Sequence, residues 1–447
     1  MSVPQNLQEL EGMLRKLLEP DTAVVAFATK ILKKFLKNPS CVVPLLSMLS
    51  DSPHDEIRQL SCVLLRNKIN VHWMRLPSET RDHSKKLLLQ RLASEPSRRT
   101  RISVAALISS LSLVTVASGD WEELLSFLLA MSQAERPEHR ETAMMLFRAL
   151  AENIGRPLKK HFKTLLAIFQ RALSDPHSPH VRIEGLRALE ALLELLEEED
   201  EDLILSFKNC VPDLLGLLKH CLSRFREDDE AADALAVGFE VFDSLVMSEL
   251  PVVTAHVPIF VPFMLEVAVN RQIPHGMRDN AVQLLISLAA SKPAQLVKLN
   301  LVEPCVTAVF MINAEVHPES ADWADPDPHL MGAELLEALI AHLPRKHVFA
   351  FTLEKALIAA RSENAMERKA ALHVIATLSE GYPADAIDNL PHLLEVVFLL
   401  CRDQEHLVRS AALYALSSFA DYLQPDIVQH KQASVSPSFH LLLFLCH

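Results

Sequence analysis

Two acidic runs contain the side chains most able to do chemistry. Six consecutive acids occupy positions 197 to 202: Glu197, Glu198, Glu199, Asp200, Glu201 and Asp202. The proline-rich stretch from Asn313 to His329 carries five acids around a tryptophan: Glu315, Glu319, Asp322, Trp323, Asp325 and Asp327. Because adjacent like charges destabilise a helix, we expect the first run at a turn and the second in an exposed loop. Both are candidate contacts for a basic protein, with Trp323 as an apolar anchor; the alternative for each is a solvated surface without a partner.

The sequence contains no recognisable catalytic motif. It lacks the glycine-rich phosphate loop, the dinucleotide fingerprint, the nucleophile elbow and the zinc-protease helix, and its 9 glycines are isolated. His177 and His180 come nearest to a metal-ligand spacing, but no thiol or third ligand lies close to them in sequence. We therefore expect no enzymatic activity, no cofactor and no bound metal.

Charge is distributed unevenly along the chain. Residues 1–120 hold 17 Lys/Arg and 11 Asp/Glu, a net charge of +6, whereas residues 121–447 hold 27 and 46, a net charge of −19. The acidic part would repel nucleic acid and attract basic proteins. The basic stretches Lys30–Lys37 and Arg98–Arg101 lack the interleaved aromatic residues of single-strand binders. We expect no direct contact with nucleic acid.

The sequence also bears on compartment. The N-terminus has neither a basic region nor an apolar core, so a secretory signal is not expected. The 7 cysteines form no closely spaced pairs and predict reduced thiols, as is usual in the cytosol or nucleus. The uncharged stretch from Ile102 to Gly119 approaches the roughly 20 residues that cross a bilayer. Its serines and its repeat register favour a buried helix over a membrane span.

A regularly spaced arginine indicates which elements position these side chains. It occurs seven times with spacings of 43, 39, 42, 96, 90 and 41 residues, at Arg58, Arg101, Arg140, Arg182, Arg278, Arg368 and Arg409. The residue three positions later is small in six cases, with Val104 the exception, and the residue seven positions later is always large and apolar. A period of about 40 to 47 residues is typical of stacked helical repeats, with one divergent unit in each long gap. The arginine itself could hydrogen-bond to aspartates in the preceding turn or lie in solvent.

One repeat is clearest between residues 391 and 423. Pro391 opens an apolar helix, Asp403–His406 forms a turn, and a second helix carries apolar residues at helical spacing from Val408 to Phe419. A lone pair of this kind buries too little surface to be stable, so the sequence predicts an all-α solenoid of antiparallel helix pairs. We trace nine units but ten second helices, and the second helix near Arg101 could take Ser84–Leu92 as its first helix. The second helices begin near Thr22, Ile57, Arg101, His139, Val181, Glu230, Met277, His329, Glu367 and Leu407.

Residues 21–92 carry a more specific pattern. It includes Ile57-Arg58-Gln59-Leu60-Ser61, Leu64-Leu65-Arg66-Asn67 and Trp73, and it resembles the N-terminal domain of the importin-β family of nuclear transport receptors. Further matches to the family occur at Glu367–Ala370 and Val408–Leu416, so the resemblance spans about residues 7–427. It implies HEAT repeats wound into a right-handed superhelix, with importin N-terminal repeats at 1–120 and further repeats at 121–427.

The resemblance also implies a function. A family member binds cargo in the cytoplasm, passes the pore through phenylalanine-glycine nucleoporins and releases cargo in the nucleus when the GTP form of the Ran GTPase binds. The second helices of the first repeats would meet Ran, which makes these residues candidates: Gln59, Val63, Arg66, Asn67, Arg98, Arg99 and Ser103. We expect basic cargo such as histones or ribosomal proteins, a monomer, shuttling between cytoplasm and nucleus, and no membrane association. The alternative is a HEAT-repeat scaffold for a multiprotein complex, in which Arg58-Gln59 and Trp73 would be core residues only.

The C-terminal end departs from the family pattern. After Ile427 the repeat register breaks, and residues 428–447 form a divergent tail that ends in the apolar run Phe439–His447. Family members continue through many more repeats, and a terminal repeat normally needs a polar cap. We therefore expect a truncated form of a longer receptor.

Overall fold

Helices account for all regular structure in the residues that the computed structural model describes, which are 3–116, 120–226, 229–316 and 328–429. The chain divides into two compact units, Met1–Val241 and Phe242–His447. The prediction of an all-α solenoid is confirmed.

The N-terminal unit begins with α1 and ends within α14. Its helices are α1 (Leu7–Leu17), α2 (Thr22–Phe35), α3 (Val42–Asp51), α4 (Asp55–Arg66), α5 (Ile69–His72), α6 (Ser78–Ser94), α7 (Arg98–Thr115), α8 (Glu123–Ser132), α9 (Pro137–Lys159), α10 (Phe162–Leu173), α11 (Pro179–Leu193), α12 (Glu201–Lys208), α13 (Val211–Arg224) and α14 (Asp229–Met247). Short 3₁₀ turns at Pro39–Cys41 and Trp73–Arg75 complete it.

The C-terminal unit continues the same pattern. Its helices are α15 (Val257–Val269), α16 (His275–Ser291), α17 (Pro293–Lys298), α18 (Val302–Asn313), α19 (Pro328–His342), α20 (Arg345–Ala359), α21 (Ala365–Gly381), α22 (Pro383–Asp388), α23 (Leu390–Leu400), α24 (His406–Tyr422) and α25 (Asp426–Gln429).

The helices pair as first and second members of repeats, and in the described part of the chain there are ten pairs: α1/α2, α3/α4, α6/α7, α8/α9, α10/α11, α13/α14, α15/α16, α18/α19, α20/α21 and α23/α24. The count of nine units was one short. Helix α6 is the first helix of the unit whose second helix is α7, a pairing that Lys85, Leu88 and Leu92 support by being buried. This is the pairing of Ser84–Leu92 with the helix near Arg101 that the sequence offered as an alternative.

Close packing within each pair depends on the small residue three positions after the spaced arginine. At Gly185 in α11, an added Cβ would lie 3.0 Å from the Cβ of Ala172 in α10. Ala412 occupies the same register position in α24 and is fully buried, as is Leu416 four residues later. A small residue thus lets the paired helices approach while the larger one fills the space between pairs.

The spaced arginines connect each repeat to the next. In five cases the guanidinium donates to a carboxylate 35 to 40 residues later, in the following unit: Arg58 to Glu95, Arg101 to Glu141, Arg140 to Asp175, Arg278 to Glu315 and Arg368 to Asp403. The same side chains also donate to backbone carbonyls of the preceding turn, such as Ser52 for Arg58. We call this set of pairs the arginine ladder.

The ladder answers the question that the sequence left open. The five ladder arginines bind backbone carbonyls of the preceding turn and a carboxylate one period further along. Arg182 and Arg409 donate to the backbone carbonyls of Asp175 and Asp403, which are aspartates of the turn that precedes each arginine. Arg58 and Arg278 are 6% and 5% exposed, so these charges are buried and paired. The spaced arginine is therefore a structural residue that holds successive repeats in register.

Two minor expectations can also be compared with the structure. Among the described residues, no helix is long and apolar enough to cross a bilayer. The stretch after Ile102 forms most of α7, which buries Val104, Leu107, Ile108 and Leu111 but leaves Leu113 exposed. Cys41, Cys62, Cys210, Cys221 and Cys305 are buried and form no disulfide bond. The 428–447 tail lies outside the residues whose packing is described.

Candidate functional site

Helix α4 presents four of the candidate residues on one side. Gln59 and Val63 are four residues apart and Arg66 follows three later, a spacing that places them on one helical face. Gln59 is half-buried, Val63 is 38% exposed, and Arg66 and Asn67 are exposed. The opposite face carries the buried core residues Ile57, Ser61 and Leu65. The separation leaves the polar groups of Gln59, Arg66 and Asn67 available to a partner.

Helix α7 adds two candidates beside them. Arg99 is exposed and Ser103, one turn later, is half-buried. Helices α4 and α7 run side by side, because Thr100 Oγ1 donates to Asp55 O near their first turns and Asn70 Nδ2 donates to Ser110 Oγ beyond α4. We call the surface formed by Gln59, Val63, Arg66, Asn67, Arg99 and Ser103 the N-terminal strip.

The seventh candidate, Arg98, has a different role. Its Nε lies 2.6 Å from Glu141 Oε1 in α9, and its Nη2 lies 2.9 Å from Glu184 Oε1 in α11. Both carboxylates are almost fully buried. A guanidinium bound at both ends by buried carboxylates ties three repeats together and is not part of the strip.

The residues of the sequence motif that led to the strip also divide into buried structural residues and exposed ones. Trp73 is 1% exposed and His72 Nε2 lies 3.0 Å from Leu36 O, so this segment belongs to the core. Arg58 belongs to the arginine ladder. Within this motif, only Gln59, Arg66 and Asn67 retain exposed polar groups.

The six-acid run lies at a turn, as its charge density predicted, and α12 begins at its fifth residue, Glu201. Lys159 Nζ lies 2.6 Å from Glu197 and 2.5 Å from Asp200. Burial opposes ionisation of Asp200, but the hydrogen bond from Lys159 lowers its pKa below the usual value. Two of the six acids therefore stabilise the turn, while Glu198, Glu199, Glu201 and Asp202 are exposed.

The second acidic stretch requires a correction at Glu315. Its side chain is 7% exposed, and both oxygens accept hydrogen bonds from Arg278, at 2.8 and 2.5 Å. Lys369 Nζ donates to its backbone carbonyl at 2.6 Å. Glu315 is thus a member of the arginine ladder and is not free to bind a cargo protein. The other candidates in this stretch, Glu319, Asp322, Trp323, Asp325 and Asp327, lie outside the described residues.

Sequence reasoning missed a further group of acids on the second helices of the C-terminal unit. Glu334 and Glu337 lie on α19, and Glu380 lies on the neighbouring α21; all three are exposed. Partial burial and the negative charges of Glu380 and Glu334 raise the pKa of Glu337 above its usual value. We call these three residues the acidic cluster. The sequence could have indicated this cluster, because Glu337 and Glu380 are 43 residues apart, which is one repeat, and so occupy equivalent positions on neighbouring helices.

Two tyrosines border the acidic cluster. Tyr422 Oη donates to Glu380 Oε1 at 2.9 Å, and that hydrogen bond raises the pKa of Tyr422. Tyr414 is 50% exposed, and its pKa is raised by burial and by the charges of Glu380 and Glu337. The carboxylates of Glu337 and Glu380 beside these tyrosines give a local negative potential that would favour a cationic side chain.

Comparison with known proteins relates this chain to importins. Residues 28–94 match the family model described as the importin-beta N-terminal domain, and residues 94–254 match the model described as IPO5-like, TPR repeats. Human importin-4 is 30% identical over 440 residues, which cover 95% of this chain and 40% of that protein. Mouse importin-4 is 28% identical over 439 residues with the same coverage.

The chain belongs to the importin-β family. It spans about two fifths of the length of the curated importins it matches, since it covers 40% of each of these relatives. As an importin-β family member it carries helix-pair repeats, and the strip residues Gln59, Val63, Arg66 and Asn67 lie in the segment that matches the N-terminal domain, whereas Arg99 and Ser103 lie just after it.

Solved structures support the same fold. The crystal structure of Kap121p bound to RanGTP superposes with a TM-score of 0.81 at 20% identity, covering 98% of this chain and 42% of that one. Kap121p bound to Nup53p gives 0.83 at 19% identity, covering 98% and 43%. A Kap121p mutant with three acidic residues replaced by lysine gives 0.82 at 20% identity, covering 96% and 42%.

Proposed function

We propose that this chain acts as a nuclear import receptor that carries basic protein cargo, of the histone or ribosomal protein type, and releases it when GTP-bound Ran binds. The observation that carries the proposal is the N-terminal strip. Its α4 residues lie in the segment related to the importin-β N-terminal domain, and its α7 residues follow directly after that segment. Kap121p, which shares the fold, has been crystallised with RanGTP.

The strip suits a protein partner because it combines polar donors with an apolar residue. Arg66, Asn67 and Gln59 supply hydrogen-bond donors, and Val63 supplies exposed apolar surface between them. Interfaces of this kind obtain specificity from oriented polar groups and affinity from the apolar area that they bury. The ladder beneath the strip holds α4 against the next repeat and so keeps its geometry fixed.

Cargo binding is assigned to the acidic cluster, with Glu198, Glu199, Glu201 and Asp202 as additional attraction for basic protein. A lysine or arginine placed among Glu334, Glu337 and Glu380 would relieve their mutual repulsion and gain attraction to all three carboxylates. Tyr414 offers an exposed aromatic ring beside them, which suits a cation or the stem of a lysine. Phenylalanine-glycine nucleoporins complete the set of proposed partners, and the chain is proposed to shuttle between cytoplasm and nucleus as a monomer.

The strip is tested with three alanine substitutions made together, Gln59→Ala, Arg66→Ala and Asn67→Ala. Binding to GTP-loaded and GDP-loaded Ran is measured by calorimetry on the full 447-residue chain. Loss of a few polar contacts at about 0.5 to 1.5 kcal/mol each should weaken Ran-GTP binding by at least tenfold. Arg75→Ala is the control, since Arg75 is also exposed in the N-terminal unit but lies off the strip.

Equal affinity of the unchanged chain for both nucleotide forms of Ran would refute the proposal. Full retention of Ran-GTP binding by the triple variant would refute the strip as its site. Partners unrelated to transport, recovered with the same triple variant, would instead favour a HEAT-repeat scaffold.

The acidic cluster is tested with Glu337→Lys and Glu380→Lys in one chain. A lysine-rich cargo peptide should lose nearly all of its binding, because two attractive charges become repulsive. Glu395→Lys is the matched control, since Glu395 is 82% exposed on α23, a first helix of the same unit. Equal loss in the control would show that net charge alone, and not the cluster, determines cargo binding.

A further inference from the structure

A groove lies on the first-helix side of the C-terminal unit, away from the acidic cluster. It has a volume of about 790 Å³ and lies between α18 and α20, with contributions from the end of α15 and the start of α21. This volume is in the range of sites that bind small molecules or a few side chains of a peptide. We call it the α18–α20 groove.

The floor of the groove is apolar and partly exposed. Phe310 and Met311 on α18 face Ile358 on α20 across it. Met311 is 49% exposed and Ile358 is 67% exposed, whereas Phe310 is almost buried. Water contact at these side chains is unfavourable, so a guest that covers them with an apolar side chain gains about 25 cal/mol for each Å² removed from water.

The rim of the groove is cationic although the chain as a whole has a net charge of −13. Arg271, Lys355 and Arg361 line it, against one lining carboxylate, Glu367. Among the residues that the structure describes, no carboxylate lies within ion-pair distance of Lys355 or Arg361. Arg271 Nε is 3.6 Å from Glu315 Oε1, which already accepts from Arg278. Among the described residues that line the groove, three cations thus face one carboxylate.

Lys355 is held over the groove by its neighbours. Its Nζ lies 3.2 Å from Thr307 Oγ1, 5.7 Å from the centre of the Phe310 ring and 5.9 Å from that of Phe351. Two aromatic rings and a hydroxyl hold the ammonium group in place, and none of them carries a negative charge that would neutralise it. It can thus accept a carboxylate with little loss of side-chain entropy.

We propose that the α18–α20 groove binds a short acidic peptide segment containing a large apolar side chain. The apolar side chain lies against Phe310, Met311 and Ile358, and flanking carboxylates pair with Lys355 and Arg361. The excess of cations selects against a basic segment by repulsion and gives an acidic segment an advantage over an uncharged one. This site is separate from the surfaces assigned to Ran and to basic cargo, and it does not depend on the proposed function.

The proposal is tested by fluorescence anisotropy with the full chain and three labelled peptides that share one leucine-containing core. Their flanking residues are aspartate in the first, glutamine in the second and lysine in the third. The aspartate peptide should bind most tightly, and its affinity should fall as salt rises because charge contributes to it. A phenylalanine-glycine peptide serves as a fourth probe.

Two variants and a matched control locate the site. Ile358→Asp should weaken binding of the aspartate peptide by at least about tenfold through loss of apolar contact and added repulsion. Arg361→Glu should weaken the aspartate peptide but not the glutamine peptide. Leu399→Asp should leave binding unchanged, since Leu399 is 70% exposed on α23 and lies 41 residues after Ile358, at the same position of the next repeat.

Circular dichroism of each variant checks that the helices are intact. Absence of binding by all four peptides would overturn the proposal. So would equal binding of the aspartate, glutamine and phenylalanine-glycine peptides with no effect of Arg361→Glu, because the groove would then recognise apolar side chains without regard to charge. Equal loss in Leu399→Asp would also overturn it by placing the site elsewhere.

Discussion

Replacing Glu95 by glutamine should destabilise the contact between α4 and α7 strongly. The Glu95 side chain is fully buried and accepts from Arg58 Nε and Nη2 at 2.9 and 2.7 Å, from Arg91 Nε and Nη2 at 2.9 and 2.5 Å, and from Ser97 N at 3.0 Å. Burial opposes ionisation of Glu95, but the hydrogen bonds from Arg58 and Arg91 hold its pKa below the usual value. A glutamine would turn an amide donor toward guanidinium donors and leave Arg58 buried without its charge partner.

The expected loss follows from that geometry. Removing one partner of a buried ion pair typically costs about 3 to 5 kcal/mol. Glu197→Gln is the control: its pair with Lys159 is equally short, at 2.6 Å, but Glu197 is 61% exposed. An exposed pair contributes about 0 to 1 kcal/mol, so burial and not distance should decide the difference.

Hydrogen exchange measured by mass spectrometry suits this test, since a repeat protein opens locally and does not unfold in one step. Amides of α4 and α7 should exchange about a hundredfold faster or more in Glu95→Gln, as a loss of 3 kcal/mol implies. Amides of α23 and α24 should be unchanged. The double variant Arg58→Met with Glu95→Leu should recover part of the loss, because it leaves no unpaired buried charge. Exchange in α4 and α7 that matches the Glu197→Gln control, or a double variant as unstable as the single one, would refute the ladder as a source of stability.

Three further predictions follow from burial and charge. Ala412→Leu should overpack α23 against α24 and cost about 1 to 3 kcal/mol, seen as a lower thermal midpoint; an unchanged midpoint would contradict the proposed helix register. The hydrogen bond from Arg368 lowers the pKa of Asp403, so this pair stabilises the fold above the usual aspartate pKa, and the stabilisation is lost as pH falls through the pKa of the folded state. In thermal melts, the midpoint of Asp403→Asn should therefore fall less in acid than the midpoint of the unchanged chain. Identical acid profiles of the two would count against the pair. Burial raises the pKa of Cys210 and Cys305 to about 12, so both thiols should react with a disulfide reagent only after unfolding, and rapid labelling of the native chain would contradict their packing.

The fold could be predicted from the sequence because each repeat is a local structure. The small residue at Ala412 and the large one at Leu416 indicate a helix pair that forms within about 40 to 47 residues. The same pattern recurs along the chain at that period, so each unit gives the same indication. The first helix at Ser78–Ser94 was offered from the sequence only as an alternative, at Ser84–Leu92, because its charged residues obscure its buried side. The candidates Gln59, Arg66 and Asn67 were chosen from a sequence motif. Their polar groups could be placed on the outer face because the apolar residues of the same motif form the buried face of the helix.

Contacts between repeats could not be predicted in the same way. Arg278 and Glu315 are 37 residues apart, and the sequence alone offered no reason to pair this acid with an arginine in place of a cargo protein. Arg98 was likewise read as a surface cation, whereas two buried carboxylates from two other repeats bind it. The acidic cluster was missed because two of its acids lie on α19 and the third on α21, and only the stacking of these two helices brings them together. Charge runs attract attention in a sequence, but the packing decides which charges are available.

Release of basic cargo by Ran tests the central claim most directly. A fluorescent lysine-rich cargo peptide would be bound to the full chain and then titrated with Ran loaded with a non-hydrolysable GTP analogue or with GDP. The account predicts that the GTP form displaces the peptide and that the GDP form does not, with displacement lost in the variant carrying Gln59→Ala, Arg66→Ala and Asn67→Ala. A peptide that stays bound at saturating Ran-GTP, or that both forms displace equally, would contradict the account.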